Sequence, residues 1–327
     1  MASSGGRVFY GWWIVATSIL ALVIFAGAGY YCFVGLFQSA LLNEFPGWTR
    51  GEVSRGATAW WLAVAVAGPV IGRLIDTYGV KRIMLISAAA SGLVFILLSF
   101  ISALWHLYVL YAALGIACAG ISVVAVGAAV SNWFFRRRGT AMGVAVTGIG
   151  LGGLALVPLA SFLYSHIGWR EAYLILGGIT WVVLIPTVAL LIKASPGEMG
   201  LLPDGEAVEP LSAVDPPANA VAGAEGWTLS AASRTPTFWL IFAALFLAQM
   251  GLFGVLTHQV YFATDLELSL PIASTMLAIT AGMGVPGKLA FGYLADRIPA
   301  RYAIAICFVM QAAGVLILMS TKTMSML

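Results

Sequence analysis

Lys288 is a lone basic residue inside an apolar run that carries no carboxylate, and all 13 acidic residues of the chain fall in loops or at the ends of apolar runs. A charge at that depth costs about 2.5–3.5 kcal/mol on insertion scales, so Lys288 is a functional candidate by default. Its chemistry would be electrostatic: an ammonium offers a point charge for a small anion, without the planar fork of a guanidinium. A second reading stands beside it. Lys288 is about two helical turns from Asp296, and its stem is long enough to carry the ammonium to the membrane interface.

A short motif occurs twice. Gly72-Arg73-Leu74-Ile75-Asp76 follows one apolar run, and Gly292-Tyr293-Leu294-Ala295-Asp296 follows another, with Lys81 and Arg82 beyond the first and Arg297 and Arg301 beyond the second. Each glycine permits close helix contact, and each aspartate can accept bonds from the amides of the next helical segment or pair with a nearby Arg. Gly72, Asp76, Lys81, Arg82, Gly292, Asp296 and Arg297 are therefore expected to form a conformational latch, against the plainer reading of a solvated turn. The repetition favours the latch, because it implies two related halves.

Neutral polar groups supply further candidates for a substrate path. Tyr31, Gly35 and Gln38 share a helix face by their i, i+4, i+7 spacing, as do Gly254, Thr257 and Tyr261. Tyr31, Gln38 and Tyr261 are candidate substrate contacts, with packing as the competing reading. His258 adds a group that titrates near neutrality at the outer end of its run, or an ordinary hydrogen-bonded helix-end histidine. The sequence calls for no metal and no cofactor. Cys32, Cys118 and Cys307 lie in apolar runs without paired spacing, as buried hydrophobes do.

The elements that must position these groups are membrane helices. The chain is 61% hydrophobic and only 9% charged, with a mean hydropathy of +0.99, whereas soluble domains carry about 25% charged residues. Nine runs are long enough to cross a bilayer, near 11–40, 54–75, 83–104, 107–133, 140–165, 170–192, 236–262, 270–294 and 302–320. The first is too long for a cleaved signal, and Trp12 and Trp13 anchor its start. Residues 1–193 read as a six-helix bundle, 194–235 as a proline-rich linker and 236–327 as three helices of a second bundle. Eleven of the 16 Lys and Arg fall in alternate connections and four on the opposite side. The positive-inside rule therefore places the N-terminus and the linker in the cytoplasm.

The segment Asn132–Gly152, NWFFRRRGTAMGVAVTGIGLG, resembles the start of the fifth helix in the monocarboxylate-porter and oxalate/formate-antiporter branches of the major facilitator superfamily. Tyr10-Gly11-Trp12-Trp13, Trp48-Thr49-Arg50, Pro196-Gly197-Glu198 with Gly200-Leu201-Leu202-Pro203-Asp204-Gly205, and His258–Tyr261 are partial matches. Within the first segment, Gly139, Gly143, Gly148 and Gly152 give small-residue faces for tight helix packing. The resemblance implies an all-α integral membrane protein of the major facilitator fold, with an incomplete second bundle, since the family has twelve spans. It further implies a secondary active transporter that moves a small mono- or dicarboxylate across the cytoplasmic membrane by alternating access, as symporter or antiporter. Lys288 stands where those porters carry an arginine that binds the substrate anion. Two of their charges are absent here: Gly35 and Gly284 occupy the positions aligned with a lysine and an aspartate.

Partners implied are a small-molecule substrate, a proton or counter-transported anion, and membrane lipid, with no nucleic acid. The alternatives are a carrier of a neutral or cationic solute, efflux included, and a non-transporting membrane sensor. An enzyme is not expected, because the chain lacks a metalloprotease HExxH, a phosphate-binding loop and an intramembrane acid dyad.

Overall fold

The computed structural model describes residues 9–193, 196–199, 201, 204, 231, 233–265 and 268–320. These are helical rods, and short turns join the first six. α1 spans Gly11–Glu44, α2 Arg50–Tyr78, α3 Val80–Leu98, α4 Leu104–Trp133, α5 Arg138–Ile167 and α6 Trp169–Leu191. α7 spans Pro236–Asp265, α8 Leu270–Ala295 and α9 Ala300–Ser320. α1 to α8 are long and apolar enough to cross a membrane, and α9 contributes the shorter apolar stretch Arg301–Gly314. The chain is a multi-pass, all-α membrane protein. Leu62, Val66, Ile86, Phe100 and Val182 stand outward and exposed, which a soluble surface would not tolerate in such number and lipid does.

Local chemistry sets the rod ends. Thr49 caps α2 by accepting from the Glu52 amide at 3.3 Å, while the Glu52 carboxylate accepts from the Thr49 amide at 2.9 Å, a reciprocal box that satisfies two orphan donors. α2 and α3 meet at Gly79 (φ 83°) and α5 and α6 at Gly168 (φ 96°), backbone that a side chain would strain. The same hinge thus recurs three helices apart. α4 is interrupted at Gly120–Ser122, between Leu104–Ala119 and Val123–Trp133. α1 departs most from regularity: Val23–Tyr31 and Phe33–Phe37 are π-wound, a wide winding that is concentrated at functional positions in helices.

The helices group into two compact units, residues 1–206 with 257–298, and 207–256 with 299–327. Their boundary falls within α7, so α8 and the end of α7 associate with the first six helices. The core of the first unit includes the fully buried Trp60, Trp133, Tyr111 and Tyr173, with the Tyr111 and Tyr173 hydroxyls hydrogen-bonded at 2.7 Å. At one end, Glu44 of α1 accepts from Trp169 and Arg170 at the start of α6, and Arg170 also reaches the Ile101 carbonyl at 3.4 Å. The opposite end gathers the α4–α5 loop, Asp204 and Asp296. In the second unit, Gln311 of α9 donates to the Ala248 carbonyl of α7 at 2.6 Å.

Candidate functional site

α5 is the central element of the site, because its glycines let two neighbours approach on separate faces. Gly148 and Gly152 face α1: a Cβ on Gly152 would lie 2.6 Å from the Val23 carbonyl oxygen and 2.9 Å from the Gly27 amide. Gly139 and Gly143 face α8 instead, where a Cβ on Gly143 would lie 2.7 Å from Gly292 Cα. Real Cβ atoms do not sit that close to backbone, so any larger residue must separate the helices. Sequence spacing assembled these four glycines as one packing set; in three dimensions they serve two seams. Gly150, which spacing did not single out, belongs to the α8 seam, with its Cβ position 2.5 Å from the Ala281 oxygen.

Lys288 lies on that seam. Its Nζ is 3.2 Å from the Cβ position of Gly284, one turn toward the α8 N-terminus, and 3.4 Å from that of Gly150. The side chain therefore runs back along α8, as helical side chains do, away from Asp296. It is half-buried, and among the described residues no hydrogen bond or ion pair reaches its ammonium. A buried ammonium left in this way is costly unless something else supplies negative charge.

One turn along α5, Gly153 receives the Tyr31 ring, whose Cδ2 is 3.1 Å from the glycine's Cβ position. Lys288 Nζ and the Tyr31 ring thus border a single turn of α5. Gly35 follows one turn further along α1, against Leu277 and Val157, and its carbonyl accepts from the Ser274 hydroxyl at 2.5 Å. Gln38 is fully buried with neither amide atom hydrogen-bonded.

α7 closes another side of this region. The Thr257 and Tyr30 hydroxyls pair at 3.0 Å, and Arg50 lies over the Tyr261 ring, 5.1 Å from its centroid. Tyr30 also stacks on Trp60 with centroids 5.8 Å apart. Tyr30 and Arg50 escaped sequence reasoning because nothing local marks a tyrosine or an exposed arginine as a bridge to a helix some 200 positions away. His258 is exposed, as is Gly254.

The two motif copies occupy different environments. Asp296 accepts from the Gly139 amide at 2.9 Å, the Thr140 amide at 2.8 Å and the Thr140 hydroxyl at 2.6 Å. A carboxylate at a helix N-terminus meets both the orphan amides and the favourable end of the dipole. Burial raises the Asp296 pKa, but the bonds from Thr140 and Gly139 outweigh it and hold the carboxyl below its ordinary value. The expected partner was the next helical segment or a nearby Arg; the observed one is the first turn of α5, more than 150 positions earlier in the chain. Arg297 lies over the Tyr293 ring at 4.3 Å. Asp76 is exposed, without a hydrogen bond or ion pair to a described residue, and a Cβ on Gly72 would meet nothing within 4 Å. Arg82 is exposed and Lys81 half-buried.

The family model described as Major Facilitator Superfamily matches residues 19–327. Among curated proteins, the chain is 31% identical to monocarboxylate transporter 11 of Homo sapiens over 295 residues, which cover 88% of this chain and 57% of that protein. It is 26% identical to monocarboxylate transporter 13 of Bos taurus over 271 residues, 81% of this chain and 59% of that protein. The MFS-type transporter pytF of Aspergillus terreus is 24% identical over 293 residues, 89% of this chain and 90% of the relative. The chain thus spans just under three fifths of the two monocarboxylate transporters.

Proposed function

This chain belongs to the Major Facilitator Superfamily, and from that premise we propose that it is a secondary active carrier of a small organic anion, a mono- or dicarboxylate, which Lys288 binds. The observation that carries the reading is the Lys288 ammonium, half-buried between Gly150 and Gly284 with no carboxylate partner among the described residues. A substrate carboxylate would supply the missing charge once α5 and α8 part, since in this structure the glycines on either side leave space for the ammonium alone. Tyr31 borders the same turn of α5 and would bound the anion on one side. Gln38, buried and without hydrogen bonds, would meet polar substrate atoms or water further along α1, and Tyr261 and His258 would stand at the outer end of α7.

Alternating access requires contacts that form in one conformer and break in the other. The Asp296 bonds to Gly139 and Thr140 serve as one such latch, and Arg50 over Tyr261 serves as its counterpart at the opposite end of the helices. We assign the protein to the cytoplasmic membrane with its N-terminus inside, on the charge asymmetry of its loops. A proton or exchanged anion completes the cycle.

Uptake of labelled formate, oxalate, lactate and a neutral sugar into proteoliposomes tests the reading. Lys288→Ala should abolish carboxylate uptake, and Lys288→Arg should keep part of it by retaining the charge and adding a fork. Normal carboxylate uptake by the Ala variant would remove Lys288 from the site. Sugar uptake without carboxylate uptake would favour a neutral-solute carrier, which the hydroxyl pair of Tyr30 and Thr257 would suit.

A further inference from the structure

The α4–α5 loop is held by two carboxylates from different parts of the chain. Asp204 accepts from the Phe135 amide at 3.0 Å and the Arg136 amide at 2.7 Å. Asp296 accepts from the amides of Gly139 and Thr140, at 2.9 and 2.8 Å. Only Arg137 and Arg138 lie between the two pairs of amides, and Arg137, at φ −104° and ψ 27°, is the non-helical junction from which α5 starts. Peptide units are planar, so once amides 135 and 136 are fixed, few soft dihedrals remain before amides 139 and 140. The chain leaving α6 is fastened nearby: Tyr10 donates to the Leu191 carbonyl at 3.0 Å and Trp133 Nε1 to the Lys193 carbonyl at 3.2 Å. Asp204 itself adopts a left-handed backbone (φ 61°), which aspartate tolerates better than most residues.

We propose that Asp204 is a positioning residue for the Asp296 latch: by pinning amides 135 and 136 it presets the first turn of α5 so that Gly139 and Thr140 are aimed at Asp296 before the latch closes. This rests on the carrier reading above: Asp204 lies 13 positions beyond the end of α6 and Asp296 at the end of α8, so when α8 parts from α5 in that cycle the Asp204 bonds would persist while the Asp296 bonds break. Loop ordering is then met in advance, and closure costs correspondingly less.

Hydrogen exchange of the backbone amides in the full chain, held in lipid nanodiscs, tests this without any substrate. Asp204→Ala should accelerate exchange at Phe135 and Arg136, which it touches, and by about tenfold at Gly139 and Thr140, which it does not. Asp204→Asn keeps an oxygen acceptor and should restore much of the protection at all four amides. Asp296→Asn should deprotect Gly139 and Thr140 while leaving Phe135 and Arg136 unchanged. If Asp204→Ala deprotects only Phe135 and Arg136, or changes none of the four, Asp204 merely fastens its own segment and the proposal is overturned. Should the Ala variant lose protection throughout the chain, the Asn variant decides: a small loss shared by all four amides supports positioning, and a loss at Phe135 and Arg136 with Gly139 and Thr140 unmoved refutes it.

Discussion

Gly143 and Gly292 meet backbone to backbone: a Cβ on Gly143 would sit 2.7 Å from Gly292 Cα, and one on Gly292 would sit 2.6 Å from Gly143 Cα. The glycine of the second motif copy is therefore a contact surface for α5, while Gly72, its counterpart in the first copy, has open space around it.

Alanine at either member of this pair wedges α5 from α8, and overpacking of this kind costs about 1–3 kcal/mol. Gly143→Ala or Gly292→Ala should shift the balance away from the closed α5–α8 seam by about 5- to 150-fold. Gly72→Ala should leave this balance near wild type. A disulfide cross-linking rate between cysteines placed on α5 and α8 measures the balance, and equal effects at Gly292 and Gly72 would contradict the asymmetry.

The proposed Asp296 latch should carry a pH signature. A carboxyl held below its ordinary value by bonds from Thr140 and Gly139 contributes stability that is complete above the ordinary aspartate range and is lost as pH falls through the depressed folded value. The latch should thus stay closed at neutral and mildly acidic pH and open only in stronger acid. Amide protection of Gly139 and Thr140, corrected for intrinsic exchange, reports this. Opening centred near neutrality would show that another group controls it.

Removing the latch charge should act unequally on the two motif copies. Asp296→Asn keeps one acceptor but loses charge-assisted bonding, and should raise accessibility of a cysteine at Val285 several-fold. Asp76→Asn, at an exposed position, should have a smaller effect on the same probe. The two effects coinciding in size would mean that the repeated motif, and not its present partners, determines the response.

At the end of the helices opposite Asp296, which the proposed orientation places outside, the bridge from Arg50 to Tyr261 depends on the aromatic ring. Tyr261→Phe should preserve it, while Tyr261→Leu should remove about 0.5–1 kcal/mol and speed external labelling of a cysteine at Leu277, which is buried against Gly35, by about two- to fivefold. Cys32, Cys118 and Cys307 are replaced first. Equal labelling in the Phe and Leu variants would rule out the ring as the determinant.

Sidedness follows from loop charge. A cysteine replacing Ala222, which lies outside the described residues, should react with an impermeant reagent only after the membrane is opened. Labelling in intact cells would invert the assignment.

Eight of the nine expected spans, the order of the helices and the doubled Gly-x-Leu-x-Asp motif were legible in the sequence, because hydropathy and turn chemistry act over a few residues and repeat in a way that spacing alone reveals. So was the isolation of Lys288, since a charge in a carboxylate-free run is conspicuous whatever surrounds it. Spacing could not divide the α5 glycines, because small residues three, four or five positions apart fit a contact with any neighbour; packing sent Gly148 and Gly152 to α1 and Gly139 and Gly143 to α8. It also could not tell Asp296 from Asp76, whose local sequences match. Only the approach of α8 to α5 brings unpaired amides to one carboxylate, while the other remains exposed. The direction of the Lys288 side chain was open in the same way, since a flexible stem reaches the interface or the interior with equal ease in isolation. The glycines of two helices, distant in the chain, left the space beside Gly150 that the ammonium occupies.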